Sequence, residues 1–161
     1  MTNRIGTARW IALLAPALLL GGALASQRWG GLFPCEMCYW QRWPHMAAIA
    51  LALLAILARK TALGGLLLFL AALAIFVSGA IGIFHAGVEY GWWEGLTTCS
   101  TALGSAGDGD DMLARIMAAP IIRCDVPQWT LGGISLAGFN ALFSIGAALA
   151  VWILMRKGRR A

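Results

Sequence analysis

Four long stretches without a charged side chain decide what this chain can fold into: Trp10–Gln27, Trp43–Ala58, Thr61–Val88 and Val126–Met155. A helix rises 1.5 Å per residue, so roughly 17–25 apolar residues cross the hydrocarbon of a bilayer. Three of the stretches qualify outright. The second qualifies if its helix starts upstream of Arg42, with that guanidinium at headgroup depth. The chain is 60% apolar and only 12% charged over 161 residues, too little polar surface for a soluble domain of this length. The expectation is an all-α membrane protein: one domain, a four-transmembrane-helix bundle with helices at about 10–26, 37–58, 62–87 and 129–155. The second outer loop, about 88–128, is then the only sizeable segment outside the membrane.

Charge sets the orientation. Arg4 and Arg9 precede the first run, Arg59 and Lys60 join the second to the third, and Arg156, Lys157, Arg159 and Arg160 follow the fourth. The other side carries Arg28, Arg42, Arg115 and Arg123 with all seven acids. Positive charge stays in the cytoplasm, so both termini are expected there and both cysteine-bearing loops outside. The net charge of +5 is then a topology signal and calls for no nucleic acid. Ala23-Leu24-Ala25 after an apolar stretch imitates a signal-peptide cleavage site, but the stretch is longer than a usual signal core, and a retained first helix is expected.

Loop 1, Ser26–Pro34, is aromatic and Gly-bearing, suited to the bilayer surface. Loop 2 holds aromatic residues around Trp92 and Trp93, a Gly104–Asp111 run, and a helical candidate Met112–Ala119 with one apolar face. Asn140, mid-span in the fourth run, reads as an interhelical hydrogen bond.

The four cysteines fall in the two outer segments. Cys35-Glu36-Met37-Cys38 is a C-x-x-C, and Cys99 and Cys124 sit 25 positions apart in loop 2. Zinc would want a second close pair or two histidines in the same loop, and haem attachment needs a His where Tyr39 stands. A disulfide closing so small a ring restrains the unfolded chain little. Redox reactivity is therefore the better reason for Cys35 and Cys38. Arg42, at i+4 from Cys38, would favour a thiolate there, with His45 on the same face; the alternative is that it snorkels to headgroups. Pro44 leaves the shared face open, because in a first turn it would break the alignment. Cys99 and Cys124 taken alone suit a structural staple, a reading weakened by a C-x-x-C on the same membrane face. His85, near the outer end of the third run with Glu89 at i+4, should lie at the depth of Cys38. It suits either a packing contact or hydrogen bonding to a reducible ligand.

The run from Cys35 to Arg42, His85, the second cysteine pair and Pro127-Gln128-Trp129 resemble the disulfide bond formation protein B (DsbB) family over essentially the whole chain. The stretch Phe84–Trp93 is similar to a branch frequent in alphaproteobacteria. The resemblance implies a multi-pass enzyme of the bacterial inner membrane with its active face in the periplasm. It would reoxidise a periplasmic thioredoxin-fold dithiol oxidase (DsbA type) and pass electrons to the membrane quinone pool, ubiquinone or menaquinone. It implies that Cys99 forms the mixed disulfide with the partner and Cys124 resolves it. Cys35 would exchange with that pair, and Cys38 would contact the quinone. Arg42 would stabilise that contact, and His85, with Glu89 behind it, would sit at the quinone's edge. Two departures stand out: Gln41 replaces the acid often found before the arginine, and Cys124 lies only three residues from Pro127.

Three rivals remain: a four-span scaffold with purely structural disulfides, a haem bundle ligated by His45 and His85, and a vitamin K epoxide reductase-like enzyme. The last carries its active C-x-x-C late in the chain, not before a second helix.

Overall fold

The computed structural model describes residues 2–96 and 123–159. The described residues form four helices, α1 (Thr2–Trp29), α2 (Glu36–Leu57), α3 (Ala62–Glu89) and α4 (Leu136–Arg159). Two short strands, β1 (Thr130–Leu131) and β2 (Ile134–Ser135), pair antiparallel just before α4. The helices pack in a closed ring, α1 on α2, α2 on α3, α3 on α4 and α4 back on α1. Helices α1, α3 and α4 are long and apolar enough to cross a membrane. Helix α2 has 22 residues, about 33 Å at the usual rise, but carries Gln41, Arg42 and His45 in its first half.

Large apolar side chains face outward, among them Leu57, Leu66, Leu142 and Phe143, while the interior holds Ala48, Ala52, Ala55, Ala71 and Ala72 around Leu68 and Ile75. This is the arrangement lipid demands. With apolar solvent outside, helices associate through close packing, and small residues at the seam permit it. Gly82 is one such point near the site, where the neighbour is backbone. A Cβ there would stand 3.0 Å from Ala137 O and 3.1 Å from Asn140 Nδ2, so its absence lets α4 bring Asn140 against α3.

The ends of the elements shape the outer face. Helix α3 closes in a Schellman motif: Gly91, at φ 69°, donates to Val88 O (3.1 Å), and Trp92 donates to Gly87 O (2.8 Å). The helix expected from about residue 129 begins instead at Leu136. Gly132 and Gly133, at φ 59° and 81°, form a two-residue turn that no helix can include, and the chain around them pairs as strands. Ser135 then caps α4 by accepting the Gly138 N–H at 3.1 Å. Tyr90 ties the hairpin to the end of α3, donating to Gly133 O (2.9 Å) and accepting from Ser135 N–H (2.8 Å). Helices α1 and α3 run past their apolar stretches, since turns outside lipid need no apolar residues. Pro44 lies in the interior of α2, not in its first turn, and the helix continues through it. Cys99, the Gly104–Asp111 run and the segment Met112–Ala119 lie outside the described residues.

Candidate functional site

The site begins at the head of α2. Cys35 is its N-cap, with extended backbone (φ −77°, ψ 175°) and Sγ accepting the Cys38 N–H at 3.3 Å. A sulfur thus stands where Ser or Asp oxygen is usual, over the positive end of the helix. That geometry brings Cys35 Sγ to 3.0 Å from Cys38 Sγ, and both are free thiols. The Cys35 thiol is pushed up from its ordinary range by the hydrogen bond to Cys38 and then by burial. The proton of the pair therefore sits on Cys35 and is offered to the Cys38 sulfur, which leaves Cys38 as the nucleophilic member.

Loop 2 returns to this point. Cys124 is 2% exposed and packs in one cluster with Cys35, Met37 and Val88. It is disulfide-bonded. Gln128 Nε2 donates to Phe33 O at 2.6 Å, which ties the end of loop 2 to the segment that precedes Cys35. The second cysteine motif is thus represented at the C-x-x-C by Cys124, while Cys99 lies outside the described residues.

His85 is the third member. It is 1% exposed, with Nε2 3.5 Å from Cys35 Sγ and hydrogen-bonded to the Cys124 backbone. The two sulfurs and this nitrogen lie within 4.8 Å of one another. Glu89, one helical turn on, has Oε1 3.8 Å from the same nitrogen and a hydrogen bond to Ser135. Its Oε2 is buried without a hydrogen-bond partner among the described residues.

Arg42 lies one turn below Cys38, and its hydrogen bonds run to α1. It donates to Gln27 Oε1 (2.7 Å) and Ala23 O (3.4 Å) of α1 and stacks over Tyr39 at 5.3 Å. Its hydrogen bonds therefore clamp α1 to α2. It still borders a cavity of about 290 Å³ shared with Cys35, Cys38, His45, His85 and Glu89. Leu18, Leu19, Phe33, Val126, Leu136 and Phe139 form its apolar walls. That volume is at the small end of the roughly 300–1,000 Å³ usual for ligand sites.

Beneath the cysteines runs a buried polar network that sequence reasoning did not assign to the site. Gln41 Nε2 meets His85 Nδ1 at 2.8 Å, and Asn140 Nδ2 meets Gln41 Oε1 at 2.8 Å. Asn140 Oδ1 meets His45 Nε2 at 2.8 Å, and Ser78 and Ser144 complete the set. The signal available was the i, i+4 spacing of Gln41 and His45, which puts both on one face of α2. Asn140 makes the interhelical hydrogen bonds expected of it. His45 Nε2 is taken by Asn140 and Ser78, which removes that nitrogen from the axial ligation a haem bundle needs.

Comparison with known proteins agrees with this geometry. The chain is 27% identical over 114 residues to an uncharacterized protein of Rickettsia prowazekii (strain Madrid E), across 70% of this chain. It spans 65% of that relative's length, and the source suits the alphaproteobacterial likeness of Phe84–Trp93. No solved structure matches the chain. The family described as Disulfide bond formation protein DsbB matches residues 6–154, nearly the whole chain, and the protein belongs to that family.

Proposed function

We propose that this protein is a membrane dithiol:quinone oxidoreductase that reoxidises a periplasmic DsbA-type thioredoxin-fold oxidase. The observation that carries the reading is a free vicinal thiol pair and His85 lining an apolar-walled cavity, with Cys124 packed against Cys35. Helix α2 completes a four-span bundle, both termini face the cytoplasm, and the site lies at the periplasmic face of the inner membrane, a reading that the charge distribution supports.

The cavity suits a quinone. Its apolar walls match a ring and the start of an isoprenoid tail. Cys38, Arg42, His85 and Glu89 provide a polar end, and these residues would hold the ring. A bound ubiquinone or menaquinone supplies the electron sink, taking two electrons and two protons as the Cys35–Cys38 dithiol becomes a disulfide. Cys38 presents the reactive sulfur to the cavity, and Cys35 retains the proton until it exchanges. Cys35, against Cys124, passes its disulfide to the loop 2 pair, and Cys99 meets the partner oxidase. Glu89, buried with one oxygen unpaired among the described residues, can accept a proton from the thiol cluster. Exchange itself is thiolate attack through a mixed disulfide, with its direction set by reduction potentials.

The test is purified protein in detergent, mixed with ubiquinone or menaquinone and a reduced thioredoxin-fold oxidase, with quinone absorbance followed while thiols are mass-tagged. Cys38→Ser should abolish quinone reduction, and Cys99→Ser should block partner oxidation. Full activity in both variants would sink the scheme. An unchanged quinone with four unreactive cysteines would return the chain to a scaffold with structural disulfides.

A further inference from the structure

Two histidines at different depths of the bundle are joined by two side-chain amides, and backbone carbonyls dictate which way each amide points. Gln41 Nε2 lies 3.1 Å from Met37 O and 2.8 Å from His85 Nδ1. A carbonyl only accepts, so the amide nitrogen must stand on that side, and it donates to Nδ1 as well. Asn140 is oriented in the same way. Its Nδ2 lies 3.2 Å from Ser78 O and 2.8 Å from Gln41 Oε1. Its Oδ1 faces His45 Nε2 at 2.8 Å and Ser144 Oγ at 2.9 Å. Nδ1 of His85 is therefore an acceptor, and the proton of the neutral ring sits on Nε2, the atom 3.5 Å from Cys35 Sγ. By the same logic His45 carries its proton on Nε2.

We propose that Gln41 is a positioning residue that holds His85 as the neutral Nε2–H tautomer, so that the N–H donor, which at rest also meets the Cys124 backbone, faces Cys35 Sγ during disulfide exchange with loop 2. This rests on the oxidoreductase reading above. When a mixed disulfide between Cys35 and loop 2 resolves, the incoming loop 2 thiolate bonds to the loop 2 sulfur. The bond to Cys35 breaks, its electron pair stays on Cys35 Sγ, and the His85 N–H hydrogen-bonds to that developing thiolate. No proton needs to change owner. The same tautomer leaves the ring nitrogen nearest the two sulfurs without a lone pair, so the compact cluster is arranged to donate and not to bind a metal.

The departure at Gln41 gives this its sharpest consequence. A carboxylate at that position only accepts, so it would draw the ring proton to Nδ1. Nε2 would then be bare except when the ring is cationic. Among the described residues, the titratable or charged groups near His85 are Cys35 and Cys38 at the head of α2, Glu89 on α3, and Arg42 and Arg123 on the cavity wall. His45 stands at the far end of the network. Helices α1 and α4 contribute no charged side chain to that wall.

The chain has two histidines, so histidine labelled with nitrogen-15 in the ring gives a four-resonance spectrum in detergent. Both rings should be neutral with Nε2 protonated near neutral pH in the wild type, and Gln41→Glu should move the His85 proton to Nδ1. Single-turnover transfer between the loop 2 pair and Cys35–Cys38, trapped with a mass tag, supplies the second readout. In Gln41→Glu the rate should match the wild type wherever the nitrogen-15 spectrum shows a cationic His85, which still offers Nε2–H. It should then fall about tenfold as His85 titrates, the weaker end of what a hydrogen bond to a charged group contributes. Gln41→Met, which neither donates to the ring nor accepts from it, should slow transfer without a new pH step. A wild-type His85 protonated on Nδ1, or parallel pH profiles for Gln41→Glu and wild type, overturns the inference and leaves the proposed enzyme standing. An Nε2–H spectrum with no thiol-dependent quinone reduction would overturn the enzyme and not the tautomer.

Discussion

Replacing Asn140 by leucine should cost more stability than any other single polar deletion in the spans, and the structure says how much. The asparagine donates to Gln41 Oε1, Ser78 O and Ser78 Oγ, and accepts from His45 Nε2 and Ser144 Oγ. After Asn140→Leu, Gln41 Oε1 loses the donor it has among the described residues. His45 Nε2 keeps Ser78 Oγ at 3.0 Å, and Ser144 can turn to a carbonyl of its own helix. One buried acceptor without a partner costs about 1–3 kcal/mol. Each of the other lost interhelical bonds averages about 0.6 kcal/mol in a membrane. The sum is about 3–5 kcal/mol, or roughly 100- to 5,000-fold in the unfolding equilibrium. Ser144→Ala removes a single bond and should cost only about 0.6 kcal/mol. Equilibrium unfolding in mixed micelles, with both variants measured beside the wild type, gives the comparison. If Asn140→Leu costs no more than Ser144→Ala, the network is not the connected unit described and the orientation argument for Gln41 fails with it.

In the reduced protein, limited alkylation at neutral pH should label Cys38 at least about tenfold faster than Cys35, because the hydrogen bond to Cys38 and burial keep the Cys35 proton in place. Raising the pH toward the ordinary thiol range near about 8.5 should not bring Cys35 up to equal reactivity. Peptide mapping by mass spectrometry reads this out, and preferential labelling of Cys35 would reverse the assignment of the nucleophile. Gly82→Ala should destabilise by about 1–3 kcal/mol through overpacking, since its Cβ would press on Ala137 O and Asn140 Nδ2. Gly146→Ala, with nothing within 4 Å of the new methyl, should instead be neutral or stabilise by up to about 1 kcal/mol. Equal effects from the two in the same unfolding assay would contradict the close approach of α3 and α4.

Much of this protein is legible before any folding is considered, because lipid imposes a one-dimensional rule. Uninterrupted apolar runs of spanning length have to be helices, so α1, α3 and α4 could be read off Trp10, Thr61 and the run ending at Met155. Hairpin packing of α2 on α3 followed from the brevity of the Arg59-Lys60 turn. The depth of His85 followed from helical rise alone. The start of α4 was misplaced by about seven residues, because an apolar Thr130–Ser135 segment has the same composition whether it pairs as strands or continues a helix. What separates the two is a pair of positive φ angles at Gly132 and Gly133.

The sequence by itself determined that α1, α3 and α4 are long and apolar enough to cross a membrane and that a C-x-x-C heads α2, since each rests on composition or on neighbours along the chain. Only the tertiary structure decided what those groups face. Arg42 bonds to α1, because Gln27 and Ala23 O happen to lie beside it in space. Cys124 reaches Cys35 across 89 positions of sequence, and Gln41 and Asn140 meet across 99. No local pattern encodes such meetings. They arise from the ring of four helices and from Gly82, whose missing side chain lets α4 close on α3.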